Sequence, residues 1–190
     1  MDWKESIRTY VPSNEQEKKD QELILHCIEL FDDILDRSNS IVHMTSSAFV
    51  VNKTRDHVLM VYHNIFDSWS WTGGHADGDD DLLAVALREA QEETGIRNIS
   101  PVFPGIFSLD VLPVLSHTRR GEYVPAHLHL TAAYLLEADE AEELTVKPDE
   151  NSAVKWIPID QLKHFSSEPH MKKVYEKLLR KARILFDSNN

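Results

Sequence analysis

Residues 74 to 96 read GHADGDDDLLAVALREAQEETGI, and this stretch decides how the rest of the chain is understood. A β-prone aromatic run, Ser68-Trp69-Ser70-Trp71-Thr72, leads into Gly73-Gly74. Two residues without Cβ atoms let the backbone turn tightly there and leave a carbonyl facing a ligand. Asp79, Asp80 and Asp81 suit the amino end of a helix, as caps and as anions against its dipole. The pattern predicts a helix from about Asp80 to Thr94, stopped by Gly95. At about 100° per residue, Leu83, Ala86, Leu87, Ala90 and Thr94 gather on one side, and Glu89, Glu92 and Glu93 on an adjacent side. Three carboxylates on one face repel one another, and Arg88, four residues before Glu92, offsets only part of that. Mg²⁺ prefers oxygen ligands and suits a small carboxylate cluster completed by substrate phosphates. Taken alone, the same residues also fit an exposed, salt-bridged acidic face.

Working outward, Ala48-Phe49-Val50-Val51 and Val58-Leu59-Met60-Val61-Tyr62 are strand-like runs separated by a polar turn, and read as a hairpin. Further strands are expected at Val102 to Val111, His127 to Glu137 and Ser152 to Ile157, with polar loops at His117 to Glu122 and Asp139 to Glu143. Before the hairpin, Leu23, Ile24, Cys27, Ile28, Phe31, Ile34 and Leu35 recur at helical spacing. A long amphipathic helix is expected from Ser13 to about Asp36, with Ser13 and Gln16 as a capping box. After the last strand, Pro169 opens a final helix whose inner face carries Met171, Val174, Tyr175, Leu178, Leu179 and Ala182.

The chain has 190 residues, enough for one domain with a full core. Asp plus Glu number 32 against 20 Lys plus Arg, a net charge of -12. That balance argues against sequence-independent nucleic-acid binding, which relies on clustered cations. Anionic substrates stay compatible with it, because a bound divalent cation inverts the local charge. The single cysteine, Cys27, excludes an intramolecular disulfide and falls on the apolar helix face, where it is read as core. No apolar signal core opens the sequence and no run reaches transmembrane length, so a cytoplasmic, reducing location without membrane partners is expected.

The spacing Gly74-x5-Asp80-x7-Arg88-Glu89-Ala90-x-Glu92-Glu93-x-Gly95-Ile96 resembles the Nudix box, G-x5-E-x7-R-E-U-x-E-E-x-G-U with U aliphatic. REAQEETGI matches without a gap, and the box covers 23 of the 190 residues. Asp80 replaces the first glutamate of the pattern, and Thr72 replaces a proline often found before the two glycines. The resemblance implies a Nudix-type α/β/α sandwich with a mixed sheet over about Ile41 to Phe165 and helical extensions at both termini. Residues 1–40 would form a helical extension on the core, and 166–190 a helix of the same domain.

It further implies a hydrolase that cleaves a diphosphate linkage by water attack at phosphorus, with Mg²⁺ or Mn²⁺. Glu92 and Glu93 would be the principal metal ligands, Glu89 a ligand or general base, and the Gly74 carbonyl a further ligand. Arg88 would orient the glutamates, and Glu150, before the last strand, is a candidate for the remote metal ligand or base that many members recruit, the alternative being an exposed residue of the polar KPDENS turn. Outside the box, His127 and His129 alternate on one strand face and are candidates for substrate contact. They lack a defined third ligand for a zinc site, and pocket-lining or surface roles are the alternative. His75, beside the glycine turn, stands similarly. Arg119 and Arg120, in the region Ser116 to Tyr123, are candidates for binding distal phosphates. Trp69 and Trp71 are read as core.

The expected partner is a small-molecule diphosphate, a nucleoside diphosphate linked to another group or a nucleoside triphosphate, acting on a monomer or homodimer. Two other readings stand beside it: a non-catalytic nucleotide-binding module, and an enzyme like isopentenyl-diphosphate isomerase. Retention of Glu89, Glu92 and Glu93 weighs against the first, and the lack of an isomerase-type cysteine motif against the second.

Overall fold

The structure is a computed structural model that describes residues 2–119 and 121–188. Its elements run α1 (Trp3–Thr9), α2 (Glu15–Leu30), β1 (Val42–Asn52), β2 (His57–His63), β3 (Ser68–Ser70), β4 (Thr72–His75) and α3 (Leu82–Thr94). There follow β5 (Ile99–Pro101), β6 (Ser108–Val114), β7 (His117–Arg119), β8 (Glu122–Val124), β9 (His127–Ala138), β10 (Asn151–Pro158), α4 (Leu162–Phe165) and α5 (Pro169–Asp187). The eight-stranded sheet has the order β10-β2-β1-β9-β5, with β3 on β2, β4 on β1 and β6 on β9. The chain groups into two compact units: Met1–Ser47, Gly73–Ala86 and Pro104–Tyr134 form one, and Ala48–Thr72, Leu87–Phe103 and Leu135–Asn190 the other. Among the described residues no helix is long and apolar enough to cross a membrane.

In the first unit the amino-terminal helix differs from its sequence reading at both ends. Asn14 is the cap: its side-chain oxygen accepts from Glu17 N at 2.8 Å, while the Glu17 carboxylate accepts from Ser13 N at 2.7 Å. This is the reciprocal logic of a capping box, one residue later than Ser13 and Gln16. The helix stops at Leu30 rather than Asp36, since Asp32, Asp33 and Asp36 would crowd the negative end of its dipole. The acids serve the following turn instead, Asp36 accepting from Ser38 N at 2.8 Å and Asp33 from the Asn39 amide at 2.9 Å. Ile34 stays buried, so the apolar stripe outlasts the helix.

Glu17 is wholly buried, accepts from Ser108 Oγ at 3.1 Å, and with Asp20, which accepts from Val111 N at 2.9 Å, ties α2 to β6. Ile24 and Cys27 are buried beside them, and burial pushes the Cys27 thiol pKa up. β6 pairs antiparallel with β9 from Ser108↔Ala133 to Val114↔His127. The strand expected from Val102 is thus replaced by β5 and β6, with Pro104 and Gly105 between them. The expected loop at His117 to Glu122 is instead part of a β7–β8 ribbon, in which Gly121 (φ 86°) takes a conformation glycine adopts without strain. A Cβ on Gly73 would lie 2.5 Å from Ser47 Oγ and 2.8 Å from Ser46 O, so only glycine lets β4 lie this close to β1.

In the second unit β2 is paired on both sides. It meets β1 at Val50↔Leu59 and Val51↔Val58, and β10 from His57↔Pro158 to Tyr62↔Ala153. Its central residues, Val58-Leu59-Met60-Val61, are also buried on both faces, which is why they form an unbroken apolar run. α5 buries Met171, Val174, Tyr175, Leu178 and Ala182, as its periodicity predicts, while Leu179 is only half-buried. The Tyr175 hydroxyl accepts from Trp71 N at 3.2 Å, and the two rings meet edge to face at 6.0 Å.

Candidate active site

The carboxyl end of α3 is fastened by the chain that precedes β10. Asn151, fully buried, donates from its amide to Glu93 O at 2.9 Å and accepts from Lys147 N at 3.2 Å. Thr145 N donates to Thr94 O at 2.8 Å, so two of the carbonyls that a helix end leaves open have partners. Gly95, at φ 76°, ends the helix where a Cβ would strike Thr145 Oγ1 at 2.2 Å. The backbone of Asn151 and Glu150 closes on Lys147 O at 2.8 and 2.9 Å. This turn holds Lys147 and Glu150 beside the helix.

There, Glu89, Glu93 and Glu150 each offer a carboxylate oxygen, all within 4.8 Å of one another. Glu93 is buried, Glu89 and Glu150 are half-buried, and Glu92 is exposed. The carboxylates therefore run from the interior outward along α3, whose buried face is Leu82, Val85, Ala86, Ala90, Glu93 and Thr94. Lys147 Nζ lies 3.0 Å from Glu92 and 3.1 Å from Glu150. Burial works against its charge, but the hydrogen bonds and attraction of those two glutamates outweigh it and hold its pKa above the ordinary lysine value. Burial, with repulsion from Glu92 and Glu150, raises the Glu89 carboxyl pKa; Lys147 and the exposed Arg88 pull it the other way.

The histidines lie in the first unit. His129 and His127, on β9, stand with Nε2 atoms 3.2 Å apart, and His43 on β1 and His75 on β4 join them. Ring centroids of His43 lie 5.0 Å from His75, 4.9 Å from His127 and 5.0 Å from His129. His43 is 3% exposed. Burial lowers the pKa of both His43 and His129, the latter to about 2, with the other imidazoles adding to the shift. Gly74 lies half-buried in β4, and Asp80 is exposed just before α3, which begins at Leu82 with the Asp81 carboxylate accepting from Ala84 N at 3.0 Å. Arg120 is outside the described residues, and of Arg119 only the backbone, in β7, is described.

Sequence reasoning missed Lys147, Asn151 and His43. Lys147 and Asn151 sit in the same polar KPDEN turn as Glu150. That turn carries no signal of its own until it is folded against α3.

A family model described as NUDIX domain matches residues 42–178. The chain belongs to the NUDIX domain family. This NUDIX chain is 34% identical over 109 residues to an m7GpppN-mRNA hydrolase of Xenopus laevis, covering 53% of this chain and 35% of that protein. It is 28% identical over 120 residues to a CMP-5'-(N-acetyl-N-hydroxy-3-aminopropyl)phosphonate hydrolase of Streptomyces rubellomurinus, covering 61% of this chain and 52% of that protein. The chain thus spans about a third and about half the length of these two curated relatives. A crystal structure of a C. elegans Ap4A hydrolase superposes with a TM-score of 0.53 at 15% identity, covering 76% of this chain and 98% of that one. At that identity the likeness is one of fold: a NUDIX α/β/α sandwich with a mixed sheet, here with helices at both termini.

Proposed function

We propose that the chain is a divalent-metal-dependent hydrolase of a nucleotide-linked diphosphate. Its substrate would be a nucleoside diphosphate joined to another group, or a nucleoside triphosphate. The observation that carries this reading is the convergence of Glu89, Glu93 and Glu150 within 4.8 Å. The donor set fits a hard cation, since it is all carboxylate and one member is buried. Glu89, Glu93 and Glu150 would hold Mg²⁺ or Mn²⁺, which when bound neutralises diphosphate charge and lowers the pKa of water.

The remaining roles belong to the side chains. Lys147 pairs with the Glu92 and Glu150 carboxylates and holds them in place. Arg88 favours the charged form of Glu89. As a ligand of the ion Glu89 must be ionised, and burial opposes that, so the cluster takes up metal more readily as the pH rises. Glu92, a principal ligand by the box resemblance, is here also the partner of Lys147. The names of the two relatives, a capped-mRNA hydrolase and a CMP-phosphonate hydrolase, share a nucleotide unit and support that half of the substrate. A net charge of -12 favours a small molecule over a polynucleotide.

The test is turnover of a panel of nucleoside diphosphate conjugates, nucleoside triphosphates and a cap dinucleotide, with and without Mg²⁺. Product release from one class that stops on chelation, and in folded Glu93→Gln, is the expected result. Tight binding without turnover across the panel, or full turnover by folded Glu93→Gln and Glu150→Gln, would overturn the reading.

A further inference from the structure

Four histidines of the first unit, His43, His75, His127 and His129, are not needed by the chemistry above, and the first, second and fourth of them are arranged as ligands. His43, His75 and His129 each offer a ring nitrogen within 4.8 Å of the others, from three different strands. His43 Nδ1 lies 2.8 Å from Asn39 O, and His127 Nδ1 lies 2.9 Å from Pro125 O. A carbonyl only accepts, so in both rings the proton sits on Nδ1 and Nε2 carries a bare lone pair. This is how proteins fix the tautomer of a metal-binding imidazole. The His43 anchor is itself fixed: Asn39 is buried and its side-chain oxygen accepts from Ile41 N and Val42 N, both at 3.2 Å. His43 Nε2 is buried and has no hydrogen-bond partner among the described residues. An orphaned lone pair in the interior is costly unless something fills its place. The Nε2 atoms of His127 and His129 are hydrogen-bonded at 3.2 Å, His129 donating. That spacing is close to the ~3.3 Å that two imidazoles take on one tetrahedral ion at Zn–N distances of about 2.0–2.1 Å, so an ion would displace the one shared proton.

We propose that His43, His75 and His129, with His127 as fourth donor, bind a divalent transition metal of the zinc class. All four donors are imidazoles, which such ions accept and which Mg²⁺ does not favour. The ion would join β1, β4 and β9 within the first unit. The proposal does not rest on the reading of the carboxylate cluster. In a second mixed group, Asp56, His57 and Glu140, the two acids are exposed, and their carboxylates already accept from the Asn52 amide at 2.7 and 2.5 Å. It serves as the control.

The experiment uses the full chain, stripped of metal, in millimolar Mg²⁺ to saturate hard-ion sites. Zn²⁺ is titrated against a chromophoric chelator, and Co²⁺ is added as a spectroscopic probe. One Zn²⁺ per chain, and a visible Co²⁺ spectrum of four-coordinate nitrogen type, are expected. His75→Ala and His127→Ala alter half-buried positions that tolerate truncation; each should weaken Zn²⁺ binding at least about tenfold. His57→Ala and Glu93→Gln should leave it unchanged. Absence of Zn²⁺ binding, affinity unchanged from the parent chain in both histidine variants, or loss of binding in Glu93→Gln or His57→Ala would overturn the assignment. Failure of diphosphate turnover in the same preparations bears only on the carboxylates.

Discussion

The glutamates around Lys147 and the histidines around His43 are both clusters of like groups, and they relieve crowding in opposite ways. The glutamates are offset by cations: Lys147 lies about 3 Å from two of them, and Arg88 pulls on Glu89. Among the histidines, burial instead favours the neutral form of His43 and His129. Both solutions leave lone pairs converging on a point. One cluster offers hard oxygens in the second unit, the other borderline nitrogens in the first. A protein with both arrangements can discriminate two classes of divalent ion by donor chemistry alone.

The sharpest way to break the comparison is Glu93→Gln, which removes the buried charge while keeping the shape. Turnover should fall about a hundredfold or more with little change in Zn²⁺ stoichiometry; steady-state kinetics beside a chelator titration would show it. Next in size is Asn151→Ala. It strands Glu93 O and Lys147 N without partners, so urea unfolding should show a loss of about 2 kcal/mol. Turnover should fall with it, because Glu150 loses its anchor.

The histidines make the opposite prediction in acid. Burial holds the pKa values of His43 and His129 below the ordinary 6.5 in the fold, whereas the unfolded chain protonates there. The stability this confers is present above about pH 6.5 and is lost as the pH falls toward the folded values. Thermal melts in chelator from about pH 7.5 to about pH 5.5 should therefore show a falling midpoint, with a flatter dependence in His129→Gln. The smallest expected effect is that of Lys147→Met. Lys147 lowers the Glu89 pKa, so its loss should move the acidic limb of the pH–turnover profile upward. An unmoved limb would mean that Lys147 only positions its partners.

The extent to which the two clusters were legible differs for a physical reason. Glu89 and Glu93 share one turn of one helix, so a period of 3.6 residues suffices to place them together. Glu150 lies 57 residues beyond Glu93, and only the box resemblance pointed to it; Lys147 and Asn151 depend on how a polar turn docks on α3. His127 and His129 shared a face by strand alternation, but His43 and His75 reach them through strand order, which no local pattern encodes. The same limit explains α2. Periodicity carried the helix through Ile34 because burial recurs there, while the acids at 32, 33 and 36 marked the true end.

The single thiol offers a practical handle on that amino-terminal segment. Cys27 is buried on α2 beside the polar ties of Glu17 and Asp20 to β6. A maleimide or disulfide reagent can reach it only when the helix lifts away. The rate of reagent consumption by native protein is therefore a clock for that local opening, with no second cysteine to blur the reading.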